Sequence, residues 1–317
     1  MERLRIAVLD AKTLGEDLDL SPLDAVGDVT VYDTSAPEEI PGRISGADVV
    51  MINKIRLNES NLSGSPVRLI CVAATGYDNI DVAWCRSHGI AVSNVVGYST
   101  DSVAQLTVSM ALSLTNHLRE YTQAVRDGSY TRGGVANRLT PVYHELSGRT
   151  WGIAGYGHIG KKVGAVARAL GCRVIVFKRT PEEGCECVDP DTLCRESDIL
   201  SIHLPLSEAT RGFLSAERIA MLKREAIVIN VARGAVTDEK ALAEALKQGS
   251  IGGLGVDVYS REPFPEDHPF YELRENDRAC FTPHMAWGAY EARVRCLDEM
   301  ILNIRAFVNG ERRNRVD

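Results

Sequence analysis

The chain has 317 residues, 36 basic and 43 acidic, giving a formal net charge of −7, with 44% hydrophobic and 25% charged residues. That composition suits a globular protein with material for one large or two medium domains, and a net negative chain offers no basic footprint for nucleic acid. No apolar run approaches the roughly 20 residues of a membrane helix.

The start, Met1-Glu2-Arg3-Leu4-Arg5-Ile6-Ala7-Val8-Leu9-Asp10, meets an acid after a few apolar residues and reads as a first strand, not a secretory signal. Eight cysteines then read as reduced thiols in a cytoplasmic protein. Short apolar runs at 5–10, 29–33, 49–54, 68–73 and 90–95 alternate with Gly, Pro and Ser loops, the trace of a small α/β domain with a parallel sheet. A helical pattern follows at 99–118, where Val103, Leu106, Val108, Met110, Leu112 and Leu114 crowd the apolar side and Thr100 or Asp101 stands as cap. The segment 121–141 has little periodicity and reads as a weakly structured stretch, functional or packed on a partner.

From Thr150 the β–α alternation is strict, with strands at 150–155, 172–178, 198–204, 226–232, 252–259 and 279–284. The clearest helix among them is 238–248, with Thr237 as N-cap and Gly249 as C-cap; 289–308 forms a long amphipathic helix. Cys185-Glu186-Cys187 lacks the spacer and second pair of a zinc site and reads as surface loop, so no metal site is expected.

The first strand of this second series runs into Gly155-Tyr156-Gly157-His158-Ile159-Gly160, a G-x-G-x-x-G loop that opens a helix. Gly155 allows the tight turn, Gly157 lets the backbone approach a pyrophosphate, and Gly160 lets the helix pack on the sheet. The amides of His158 and Ile159 lie at the helix N-terminus, where an anion is stabilised. These features together predict a dinucleotide site. An acid at the end of the next strand would take the ribose 2′-hydroxyl of NAD. The chain has Phe177-Lys178-Arg179-Thr180 there, with no carboxylate, and two cations plus a hydroxyl suit a 2′-phosphate. NADP is therefore the preferred cofactor and NAD the alternative.

Three further strands end in isolated polar residues: Arg233 after Ile229-Asn230-Val231-Ala232, Glu262 after Tyr259-Ser260-Arg261, and His284 after Phe281-Thr282-Pro283. Ligands of open α/β sheets bind outside the carboxyl ends of the strands, so an Arg, a Glu and a His could meet there.

With these motifs the chain resembles the D-isomer-specific 2-hydroxyacid dehydrogenase family over nearly its whole length, from Ala73-Ala74-Thr75-Gly76-Tyr77-Asp78-Asn79-Ile80-Asp81 to the final helix. His203-Leu204-Pro205-Leu206, Asn230-Val231-Ala232-Arg233-Gly234, Asp257 with Glu262-Pro263, and Pro283-His284 carry the likeness. Tyr98-Ser99-Thr100-Asp101-Ser102-Val103-Ala104-Gln105 and His284-Met285-Ala286-Trp287 resemble its glycerate dehydrogenase, or hydroxypyruvate reductase, branch.

The resemblance implies two Rossmann-like, doubly wound parallel-sheet α/β domains. One is a flavodoxin-like substrate domain from 1–98 and 288–317; the other is an inserted dinucleotide-binding domain at 99–287, with a dimerisation segment at about 118–145. It implies an NAD(P)-dependent oxidoreductase in which His284, as imidazolium, protonates the forming alkoxide while Glu262 orients the ring and raises its pKa. Arg233 would fork onto the substrate carboxylate and keto oxygen. Tyr156, His203, Pro205, Val231, Ala232 and Asp257 would line the cofactor, and Lys54, Thr75, Gly76, Tyr77 and Trp287 the substrate. Hydroxypyruvate and glyoxylate, reduced to D-glycerate and glycolate, are the expected substrates, another 2-keto acid the alternative, and a homodimer the expected assembly. The rival from another class is a dinucleotide-sensing, corepressor-like interaction protein with little turnover, against which the lack of tails and of a basic patch stands. A formate dehydrogenase is disfavoured, since formate has no carbonyl to protonate.

Overall fold

The computed structural model describes residues 3–317; Met1 and Glu2, the first residues of the segment read as a strand start, lie outside the described residues. The chain divides into two units, Met1–Ser99 with Gly288–Asp317, and Thr100–Trp287. Each is an α/β unit with an all-parallel sheet, the fold class expected from the β–α alternation.

The first unit contains β1 (Arg5–Val8), β2 (Asp28–Val31), β3 (Val49–Ile52), β4 (Leu69–Val72) and β5 (Ala91–Ser93), in spatial order β2-β1-β3-β4-β5. This is the flavodoxin-like order. The central strands β3 and β4 are buried at every position, which is why they read as continuous apolar runs. Val50, Ile52, Ile70, Val72 and Val92 share one core cluster with Ile40 and Ile44. Burying each such side chain contributes roughly 1.5–3 kcal/mol. The helix Tyr290–Val308 packs against β4 and buries Ala292, Cys296, Leu297, Met300 and Ile304. Beyond it, Val316 N–H donates to Val92 O at 2.9 Å and Val92 N–H donates to the Asp317 carboxylate at 2.8 Å. The open edge of β5 is thereby covered.

The second unit contains β6 (Thr150–Ala154), β7 (Arg173–Phe177), β8 (Glu186–Cys187), β9 (Ile199–Ile202), β10 (Ile227–Asn230), β11 (Gly253–Val256) and β12 (Ala279–Phe281). Their order, β12-β11-β10-β9-β6-β7-β8, is the Rossmann order with one more strand, and it reverses between β6 and β9. Side chains alternate between two clusters: Ile227 and Ile229 face one, Val228 the other. The helices Thr100–Thr115 and His158–Ala169 lie together on the first of these faces. No helix among the described residues is long and apolar enough to cross a membrane.

Five local expectations are corrected. The helix predicted at 99–118 ends at Thr115, because His117 takes a left-handed φ of +50° with its Nδ1 on Glu120 at 2.9 Å. Thr100 and Asp101 lie in its first turn, not before it, and Asp101 pairs with Lys162 at 3.0 Å. The segment at 121–141 is partly helical, within Leu118–Arg126 and Ser129–Arg132. Leu118, Tyr121, Ala124 and Val125 recur at helical spacing, but the period starts before Tyr121 and ends within nine residues, so a reading that opens at Tyr121 cuts it. Asp238, not Thr237, caps the helix Glu239–Lys247: its carboxylate accepts from Ala241 N–H at 3.0 Å, while the Thr237 hydroxyl donates to Gly234 O at 3.1 Å. Gly249 follows the C-cap residue Gln248 with φ +67°. Lastly, Glu186–Cys187 is an edge strand on β7 rather than a loop, with Cys185 and Cys187 half-buried against the core.

Candidate active site

The loop between β6 and the helix His158–Ala169 lies at the reversal of strand order. Gly155 has φ +95°, and a Cβ there would stand 2.7 Å from the carbonyl carbon and oxygen of His203, so the close approach of the β6 and β9 ends requires glycine. A Cβ on Gly160 would stand 2.2 Å from Gly155 O, which is what lets the helix start so near the turn. A Cβ on Gly157 would meet nothing within 4 Å; that residue caps the helix with extended backbone and open space beside it. His158 and Ile159 are its first two helical residues, with amides that no earlier turn of the helix can use. Amides, helix end and room fit a pyrophosphate. Tyr156 is different: its side chain is buried in the core and its hydroxyl accepts from Arg168 at 3.0 Å, so only its backbone is at the loop surface.

At the end of β7, Lys178 is half-buried while Arg179 and Thr180 follow in the loop. Glu182 forms ion pairs with Lys178 and, at 2.8 Å, with Lys161 of the glycine-loop helix. Hydrogen bonds from these two ammonium groups hold the Glu182 carboxyl down to about 2. The expectation that no carboxylate is available here is therefore corrected: one arrives after Pro181, beyond the strand end where it was sought.

His203 follows β9. Burial pulls its imidazole down to about 3, so the ring is neutral. Its Nε2 lies 3.1 Å from Ser201 Oγ, which also accepts from Trp151 Nε1 at 3.0 Å, and its Nδ1 is buried without a partner among the described residues. Pro205 is exposed beyond it; Val231 is buried and Ala232 half-buried after β10.

Strands β10, β11 and β12 are neighbours, and the chain leaving each delivers one of the polar residues singled out in the sequence. After β10, Asn230 shapes the turn: its Oδ1 accepts from Ala232 N–H at 3.0 Å and its Nδ2 donates to Arg233 O at 2.9 Å. The Arg233 guanidinium donates to Ala232 O at 2.8 Å. After β11, Glu262 Oε1 accepts from Tyr259 N–H at 2.9 Å and Glu262 Oε2 lies 2.6 Å from His284 Nδ1. After β12, His284 has φ +53°. Asp257, fully buried, accepts from the Thr282 hydroxyl at 2.5 Å and from the Met285 and Ala286 amides, each at 2.9 Å, and so ties down the loop that carries His284. Burial pushes the Asp257 carboxyl above its usual range against these hydrogen bonds. Trp287 Nε1 donates to His284 O at 3.1 Å and its ring packs on the core. With Nδ1 engaged by Glu262, the imidazole has Nε2 as its second proton-carrying atom. Asn230 and Asp257 are the loop-shaping residues here, and the signal for both was a polar side chain ending or following an apolar strand.

In the first unit, Lys54 follows β3 in a turn gathered by Asp10, whose buried carboxylate accepts from the amides of Asn53 (2.9 Å), Lys54 (2.7 Å) and Ile55 (3.2 Å). Burial raises the Asp10 carboxyl despite those bonds. Thr75, Gly76 and Tyr77 follow β4; the Thr75 hydroxyl donates to Val95 O at 2.8 Å, and Thr75 O accepts from Asn94 at 2.7 Å.

The family model for "D-isomer specific 2-hydroxyacid dehydrogenase, NAD binding domain" matches residues 108–286. The chain is 37% identical over 285 residues to a glycerate dehydrogenase of Methylorubrum extorquens, covering 90% of each chain. It is 34% identical over 317 residues to a hydroxypyruvate reductase of Blautia hydrogenotrophica, covering 97% of this chain and 98% of that one. A solved structure of an acyclic imino acid reductase in complex with NADPH and D-Arg superposes with a TM-score of 0.89 at 27% identity, over 99% of this chain and all of that one (100%).

Proposed function

The chain belongs to the D-isomer-specific 2-hydroxyacid dehydrogenase family, and from that premise we propose that it reduces hydroxypyruvate or glyoxylate to D-glycerate or glycolate. The observation that supports this best is the 2.6 Å contact between Glu262 Oε2 and His284 Nδ1, set at the ends of neighbouring strands. When bound, a reduced nicotinamide dinucleotide supplies the hydride that the carbonyl carbon accepts. His284 gives the Nε2 proton to the carbonyl oxygen as its π pair becomes an alkoxide, and is left neutral. Glu262 holds the ring in the orientation that aims Nε2 at the substrate and stabilises the imidazolium before transfer. Arg233 offers a planar fork to the carboxylate, which an ammonium could not match. Asp257 acts here by fixing the His284 loop. Lys54 and the turn at Thr75, Gly76 and Tyr77 are assigned substrate contacts, with Trp287 limiting substrate bulk.

The residues Gly155 to Gly160, with His203, Pro205, Val231 and Ala232 around the same end of the sheet, are assigned to the dinucleotide. Lys178, Arg179 and Thr180 support a preference for NADPH over NADH, and the Glu182 pairing makes that preference modest. Exposed apolar side chains in one segment, Val125 (65%), Val135 (63%), Leu139 (69%) and Val142 (68%), support a homodimer that covers them, which light scattering checks as twice the monomer mass. The eight free cysteines support a cytoplasmic location. Initial rates over hydroxypyruvate, glyoxylate, pyruvate and larger keto acids, with both cofactors, test the reading. The highest kcat/KM falls on hydroxypyruvate or glyoxylate with NADPH; tight dinucleotide binding with negligible turnover on every acid would overturn it in favour of a sensor.

A further inference from the structure

Glu239 opens the helix Glu239–Lys247 and is buried together with His268. Its Oε1 accepts from Ser260 N–H at 2.8 Å; its Oε2 accepts from the Ser260 hydroxyl and faces His268 Nε2 at 3.0 Å. His268 Nδ1 accepts from Phe270 N–H at 3.2 Å, which leaves the ring proton on Nε2, donating to the carboxylate. The imidazole is set among Phe264, Phe270 and Tyr259, with ring centroids 5.2, 5.2 and 5.9 Å away. A buried carboxylate is costly unless its lone pairs are used, and here three donors use them.

Two of these donors belong to one residue of the turn 259–263, Ser260, and the third, His268, holds the carboxylate from the other side of that turn's sequence. Ser260 adjoins Tyr259, whose amide holds Glu262 Oε1 while Glu262 Oε2 reaches His284. The same turn abuts the Arg233 turn: a Cβ on Gly234 would stand 2.1 Å from Ser260 N.

We propose that Glu239 and His268 are positioning residues of the reduction, locking the turn 259–263 so that Glu262 stays at hydrogen-bond distance from His284 and close behind Arg233. The proposal rests on His284 being the proton donor. Gln at position 239 keeps the size of the side chain but turns one oxygen into an NH2 group, which faces another donor wherever it points.

The test is the pH–rate profile of the purified full chain with hydroxypyruvate or glyoxylate, for wild type, E239Q, H268Q and E262Q. In E262Q the imidazolium loses its counter-charge, so the limb on which reduction fades with rising pH moves to lower pH. E239Q lowers kcat by roughly 10- to 100-fold, the loss that a displacement of about 1 Å produces. It moves the same limb in the same direction by less, and leaves the cofactor KM within about twofold. H268Q behaves likewise and stands in for E239Q if that variant does not fold. A folded E239Q with a wild-type limb, whatever its kcat, overturns this inference alone when E262Q has moved the limb. An unmoved limb in E262Q overturns the proton-donor reading beneath it.

Discussion

His284 holds a left-handed φ of +53°, a conformation that costs a non-glycine residue on the order of 1–3 kcal/mol. Asp257 offsets this by accepting from Thr282, Met285 and Ala286 on either side. Strain supported in this way aims a side chain, and H284A is expected to lower kcat by about 10²–10⁴-fold with the cofactor KM little changed. Turnover within threefold of wild type would remove His284 from the chemistry. At the other end of the cofactor loop, E182Q takes the counter-charge from Lys178 and Lys161. It should raise the ratio of kcat/KM for NADPH to that for NADH by roughly twofold to fivefold, as an exposed pair allows; an unchanged ratio would detach this lysine from the ribose. The glycine loop, Arg233, Glu262 and His284 were readable because each belongs to a short run whose spacing carries its own meaning. Glu182 and Glu239 were not. Glu182 has one near partner, Lys178 four residues before it, but Glu182 itself lies past the strand end that was read. The other partners stand 21 residues away for Lys161 and Ser260 and 29 for His268, pairs that only tertiary structure assembles.

Among elements, the strands were legible and their ends less so. The run at 5–10 yields the strand Arg5–Val8, because Leu9 stays buried after the ladder stops and Asp10 turns to gather the Lys54 turn. The helix Leu118–Arg126 does carry a helical period, in Leu118, Tyr121, Ala124 and Val125, but it spans only nine residues and begins in the preceding run, so it was divided between two segments. Caps were readable to within one position: Thr and Asp are both good N-caps, and the Thr237 hydroxyl was already engaged with Gly234. D238A should therefore destabilise the second unit by about 1 kcal/mol. A drop in Tm of about 2–4 °C is the measurable form, while T237A should cost less. Equal losses would mean that the cap is shared.

For the whole molecule, acid should loosen the fold partly through His203. Its folded pKa of about 3 lies below the ordinary value of 6.5 because burial disfavours the imidazolium. Unfolded chains take up a proton below about pH 6.5 and folded chains do not until about pH 3, so this contribution is present above pH 6.5 and is lost as the pH falls between those values. Urea midpoints of the cofactor-free protein at pH 7 and pH 5 measure it. H203Q should show a smaller drop between the two than wild type, and identical drops would show that His203 is not what couples stability to protons.

The first unit draws strands from Arg5–Ser93 and its last helix and tail from Tyr290–Asp317. A ribosome adding about 5–20 residues each second needs roughly 10–40 s to pass from one part to the other. Throughout that wait β4 lacks the helix that covers it and the amide of Val92 lacks the carboxylate of Asp317, and by its end the whole of the second unit, Thr100–Trp287, has been synthesised. The inserted unit can thus finish folding first and the surrounding one last, leaving the early sheet as the part of the nascent chain with most need of a chaperone.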